Sequence, residues 1–247
     1  MVLAPIQKLR KNFAFTLAEV LITLGIIGIV AAMVIPSLLN AFQKHVTVTR
    51  LKQTYAQITQ AVKLSEVDNG DFTGWDLSKV SSHDFDIESS ERVAKTYFIP
   101  YMKYTYLCTG KNTYCASYSR KKLSGASDSY STYYHRLHGL VLQNGVVIHF
   151  WPRGSTTMEI VIDINAASGP NTWGKDVFSI VVQKSKGNGI HTSTKTPAGI
   201  YLYGEGFSRE KMLNNGYGCN KTGQFAGLYC GALIKEDGWK ISKDYPW

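Results

Sequence analysis

Lys11-Asn12-Phe13-Ala14-Phe15-Thr16-Leu17-Ala18-Glu19, running straight into the apolar stretch of residues 20–39, decides the architecture of this chain. Twenty apolar residues rise about 30 Å as a helix, enough to cross the hydrocarbon core of a bilayer. Lys8, Arg10 and Lys11 lie before that stretch, so the N-terminus is expected to stay cytoplasmic and the remainder to be exported. A secretory signal places its small-residue cut after the apolar region. No such site follows Leu39; the small residue Ala14 precedes the apolar region instead, and a cut there removes the basic leader and keeps the helix.

This arrangement resembles the signal of type IV prepilins and type II secretion pseudopilins. In that family the mature chain typically begins with Phe and has Glu fifth, matched by Phe15 and Glu19, with a frequent Pro at mature position 22, matched by Pro36. Ala14 departs from the usual Gly before the cut, which implies slower processing. The resemblance implies cleavage by a prepilin peptidase between Ala14 and Phe15, methylation of the new amine, and extraction by an inner-membrane assembly platform into a filament of this and other pilin-like subunits. Glu19 would pair with the Phe15 amine of a neighbour, neutralising two charges that are costly at membrane depth. Pro36 removes a backbone hydrogen bond and should loosen the helix. The competing reading is an uncleaved, membrane-anchored extracytoplasmic binding or adhesion protein.

Working outward, no Gly or Pro interrupts residues 37–69, and Phe42, Val46, Leu51, Tyr55, Ile58 and Val62 recur at helical spacing. A single helix of roughly 80 Å is expected, stopped by Asn69-Gly70. The organisation is therefore leader 1–14, membrane helix 15–39, amphipathic continuation 40–69 and an extracytoplasmic domain 70–247. The last is large enough, at roughly 180 residues, for one real core.

Residues 71–135 give little periodicity beyond a short helix near 89–98, ended by Ile99-Pro100. From residue 138 the pattern turns to β. Residues 140–143 and 146–151 flank Asn144-Gly145, expected as a type I′ hairpin turn; strands follow near 159–164 and 176–184. Trp239, Tyr245 and Trp247 are expected to pack the C-terminal tail on the sheet. The fold class is α+β and pilin-like: a long N-terminal helix on an antiparallel sheet, with a loop-rich, disulfide-closed C-terminal region.

Four cysteines allow three pairings. The sequence-local set, Cys108 with Cys115 and Cys219 with Cys230, is expected in an exported, oxidising compartment, each bridge contributing about 2–3 kcal/mol. The 163–176 loop resembles a D-x-N…G-P-N…G-x-D-x-F segment of pseudopilins. Asp163, Asn165 and Asp176 offer oxygen ligands that could hold Ca²⁺, against a tight turn with these side chains capping amides. No other cofactor is expected.

The chain carries a formal +9, falling to +6 once the three leader cations leave. Tyr-rich residues 97–134 with Arg120-Lys121-Lys122 could form a stacking platform for nucleic acid, although a solvated loop is favoured. The six histidines are expected at surfaces or turns, and no nucleophile elbow or phosphate loop occurs. A structural rather than enzymatic role follows.

Overall fold

A computed structural model describes residues 16–80, 85–109, 115 and 119–247. The chain divides into two units, Met1–Gln43 and Lys44–Trp247. Helix α1 (Leu17–Asn69) supplies residues to both. Gly70, at φ +74°, ends it in the left-handed conformation that Gly adopts without a Cβ penalty.

In the first unit α1 is apolar and exposed: Leu21, Ile22, Ile26, Ile27 and Ile29 all face outward. It is long and apolar enough to cross a membrane. The helix assignment continues through Pro36. Nearby hydroxyls turn back onto the backbone, Ser37 Oγ donating to the Val34 carbonyl at 2.9 Å.

In the second unit Thr47, Leu51, Thr54, Ile58, Ala61, Val62 and Ser65 are buried, at spacings of three and four that keep one stripe inward. This stripe is shifted from the expected one. Phe42 is exposed, and small polar residues take several seam positions. Thr54 serves there because its hydroxyl bonds the Arg50 carbonyl at 2.8 Å, leaving only a methyl-sized apolar surface to pack.

The sheet is an antiparallel meander in the order β1-β2-β3-β4-β5-β6. The strands are β1 (Tyr104–Cys108), β2 (Gly139–Leu142), β3 (Val147–Gly154), β4 (Thr157–Asp163), β5 (Val177–Gln183) and β6 (Gly199–Leu202). β1 and β6 had no clear signal in the sequence. Both are short edge strands, and β1 exposes Tyr104 and Tyr106. The β2–β3 connection is not a type I′ turn. Gly145 alone has positive φ, the Gly145 amide donates to the Leu142 carbonyl at 2.9 Å, and Asn144 caps the Val146 amide with its side chain. A three-residue loop with a left-handed Gly results.

Both faces of the central strands are covered, which explains why residues 146–151 read as an apolar run rather than an alternation. One face joins Ile148, Phe150, Ile160, Ile162, Ile180 and Val182 to α1 residues Leu51, Ile58 and Val62. Burying each such side chain stabilises by about 1.5–3 kcal/mol. The other face carries Trp151, Val161 and Val177 against Phe85, Tyr134, Leu137 and Trp173 from loops.

Helix α2 (Ile87–Tyr97) starts at an Asp86 N-cap and packs by its small side chains, with Ser90 Oγ donating to the Phe150 carbonyl. Two further short helices, α3 (Arg209–Asn214) and α4 (Cys230–Glu236), complete the C-terminal region. The bridges are Cys108–Cys115 and Cys219–Cys230. Tyr245 joins the core that holds the sheet, and the tail reaches α1 as well. Trp239 packs on Tyr55 of α1 at 5.8 Å between centroids, and Lys44 lies 5.8 Å from the Trp247 ring. The tail thus closes over the helix, fastened by Arg209 to Asp237 and Asp244.

Candidate functional site

Ala14 and Phe15 lie outside the described residues. The helix start immediately beyond them has a defined chemistry. Thr16 precedes the first helical residue, and its backbone amide and its hydroxyl each donate to Glu19 Oε2 at 2.8 Å. The Glu19 amide returns a bond to Thr16 Oγ1 at 3.2 Å. This is a capping box: two otherwise unpaired amides of the first turn are satisfied reciprocally. It also holds the carboxylate beside the first residues of the expected mature chain. Thr16 escapes a reading centred on charge and hydropathy; the T-x-x-E spacing is the signal that finds it.

No further acid or base occurs on α1 until Lys44. The described part of the first unit thus carries one carboxylate at the start of a helix whose large apolar side chains are exposed. In lipid the apolar side chains are satisfied by tails. The carboxylate is the group that still asks for a cation.

The 163–176 loop is where the second half of α1, the sheet and the tail meet. Thr47 Oγ1 donates to the Lys175 carbonyl at 3.1 Å, and Arg50 Nη1 to the Ile164 carbonyl at 2.8 Å. The Tyr245 hydroxyl donates to the Gly174 carbonyl. Gly174 has φ +82°, and a Cβ there would lie 2.6 Å from Cys230 Sγ, so the loop backbone packs directly on the second disulfide.

Asp163, Asn165 and Asp176 share this loop but do not converge as three free oxygen donors. Asp163 and Arg120 are both fully buried, with Oδ2 3.8 Å from Nε. Asp176 accepts the Asn171 and Thr172 amides at 2.7 and 2.6 Å, one on each oxygen. Burial pushes its carboxyl above the ordinary range, against the opposing pull of those amides. Asn165 donates to the Gly169 carbonyl at 2.7 Å. Among the described residues no group of three or more His, Cys, Asp or Glu could hold a metal. Two amide oxygens of the loop, Asn165 Oδ1 and Asn171 Oδ1, are buried without a hydrogen-bond partner, while the buried Asp163 carboxylate faces Arg120. In the described structure Asp176 thus caps two amides of the turn and Asp163 faces Arg120.

Among the described residues, the basic, Tyr-rich region is divided between the core and the surface. Arg120 is buried, with its guanidinium 4.4 Å from the Tyr134 ring centroid. Tyr97 and Tyr134 are core residues, whereas Tyr104, Tyr106 and Tyr133 are exposed. The histidines also differ from expectation. His138, His149 and His191 are buried. Burial, reinforced by the Arg120 cation, holds His149 well below the ordinary imidazole range, so it is neutral in the fold. His83 lies outside the described residues.

Residues 9–35 match the motif described as prokaryotic N-terminal methylation motif. Residues 37–247 match a family described as "Family of unknown function (DUF6613)". Comparison with curated proteins and with solved structures found no match. The first match covers the capping box and the apolar helix, and the second covers the rest of α1 and the whole sheet domain. The chain therefore belongs to the family DUF6613, and its N-terminus is that of a type IV pilin-like prepilin-peptidase substrate.

Proposed function

We propose that this protein is a structural subunit of a filament of the type IV pilus or type II secretion pseudopilus class. It is held in the inner membrane with its sheet domain outside the cytoplasm until an assembly platform extracts it. The supporting observation is a methylation motif that leads into a half-helix with exposed apolar side chains, continuous in sequence with a half whose inward stripe is buried in a folded domain.

A mature chain starting at Phe15 would present an N-terminal amine and the Glu19 carboxylate within one helical turn. In the isolated subunit the carboxylate is occupied by Thr16. In a filament a neighbour's amine would replace part of that bonding, and the two charges would leave water together. Register between subunits would follow, because only one stagger brings each amine to a carboxylate. The apolar surface that lipid covers in the membrane would be covered by neighbouring helices in the filament. Pro36 leaves the Ala32 carbonyl without its helical donor, a weak point at which the helix can adjust to such packing.

The test is the intact mass of the membrane-extracted chain, expressed with and without a prepilin peptidase. A species beginning at Phe15 and heavier by one methyl group, present only with the peptidase, is expected. Retention of residues 1–14 in both samples would sink the proposal and favour an uncleaved anchored binding protein.

A further inference from the structure

The sheet face that carries Trp151 and Glu159 is closed by loops, and a cavity of about 220 Å³ remains there. Its outer wall is a row of half-buried, nearly parallel rings. The Phe225 centroid lies 4.9 Å from Tyr217 and 6.4 Å from Tyr130, each pair within 16° of parallel. The lining also carries charged and polar groups. Arg153 Nε and His191 Nε2 lie 3.3 and 3.2 Å from the same oxygen of Glu159. Asp128 accepts the Trp173 indole N–H at 2.9 Å and the Tyr130 amide at 3.0 Å.

A gap maintained only by packing would be closed by apolar side chains, since setting carboxylates and cations around an unfilled space carries a desolvation cost. The combination of groups narrows what the space can take. The formal charges of the lining balance, Lys122 and Arg153 against Asp128 and Glu159, so net charge favours neither a phosphate nor an ammonium. The cation positions over the rings are already taken: Lys122 Nζ is 5.4 Å from the Phe225 centroid and Arg153 Cζ 4.0 Å from that of Trp151. A quaternary ammonium would have to displace them. Fixed donors and fixed acceptors side by side suit a group that does both, a hydroxyl. Ring faces suit the C–H face of a saturated ring. The volume falls below the roughly 300–1,000 Å³ of sites for drug-sized ligands, which leaves room for one six-membered ring and its hydroxyls.

We propose that this cavity binds a single neutral pyranose, such as the terminal sugar of a glycan. The site belongs wholly to the sheet domain and stands whether the chain is a filament subunit or an uncleaved anchored protein.

The test uses the full chain in nanodiscs of phosphatidylethanolamine and phosphatidylglycerol, which avoids glycoside detergents. The probes are methyl glycosides of glucose, galactose, mannose, N-acetylglucosamine and N-acetylgalactosamine. They are followed by saturation-transfer NMR and tryptophan fluorescence. At least one is expected to saturate with Kd on the order of 1 mM, a weak but specific affinity. Phe225→Ala and Lys122→Ala, both at half-buried positions, should each weaken it at least tenfold without loss of the cooperative melt. Tyr133→Ala, an exposed ring outside the cavity, should leave it unchanged. The proposal is overturned if no glycoside saturates, if binding ignores Phe225→Ala, or if tetramethylammonium or adenosine monophosphate binds the same site more tightly.

Discussion

The two halves of α1 are one helix with two kinds of surface. Residues 17–43 expose Leu, Ile and Val on every side, whereas residues 44–69 show a single stripe inward and Lys, Arg and Gln outward. The first half exposes its large apolar side chains, and one carboxylate, Glu19, is the only ionisable group of residues 17–43. The second half gains its stability from a sheet face and from hydrogen bonds to the 163–176 loop. The contrast teaches that helical continuity says nothing about where the stabilising contacts lie.

The largest expected effect separates the halves directly. Ile58→Ala removes a fully buried side chain and should destabilise the sheet domain by about 2–5 kcal/mol. Ile27→Ala, in the exposed apolar half, should leave the domain's melt unchanged. Near-UV circular dichroism of the chain in nanodiscs during urea unfolding measures both. Equal losses would erase the contrast.

The domain also holds itself by covalent closure, independently of the helix. Cys219→Ser with Cys230→Ser should reduce stability by about 3 kcal/mol, from the chain entropy of an eleven-residue separation. Cys108→Ser with Cys115→Ser opens a shorter loop, of separation seven, and should lose less. Denaturant midpoints of the two pairs rank them, and a reversed order would show that packing around Cys108 outweighs loop entropy.

A smaller effect exploits polar groups that the apolar half lacks. His149 is neutral in the fold and held well below its ordinary range by burial and by Arg120. The unfolded chain takes up a proton near pH 6.5. Because the folded value is depressed, stability is complete above about pH 6.5 and falls as pH drops below it, by up to about 1.4 kcal/mol per unit. His149→Phe should flatten that step in melting curves between pH 7 and 5. If wild type and variant decline in parallel, another group governs the acid limb.

The smallest expected effect is none. Calcium at millimolar concentration should leave the melting temperature unchanged, because Asp163 faces Arg120 and Asp176 is occupied by two amides. A rise that chelator reverses, and that Asp176→Asn abolishes, would restore the 163–176 loop as a metal site and with it a further link between sheet and helix.

Much of the architecture could be read from residue order. The apolar run, Glu19 behind a small residue and the Gly70 stop each act over one or two helical turns, so local spacing reveals them. The central strands were legible through their β-branched runs. The edge strands β1 and β6 were not, because four or five residues with one face in solvent carry no pattern distinct from a loop. Trp239 and Trp247 were expected to pack the tail and also reach Tyr55 and Lys44 of α1, since nothing in an aromatic side chain specifies which surface it will find.

The sequence by itself determined a membrane-length helix, its processing signal and the continuation of that helix into an α+β domain, because hydropathy and helical period are properties of neighbouring residues. Only the tertiary structure decided that Arg120 lies in the core, that the carboxylates of the 163–176 loop hold a turn, and that Tyr130, Tyr217 and Phe225 form one wall. Those residues are separated by tens of positions, and the burial and partners that set their chemistry exist only once the chain has closed around them.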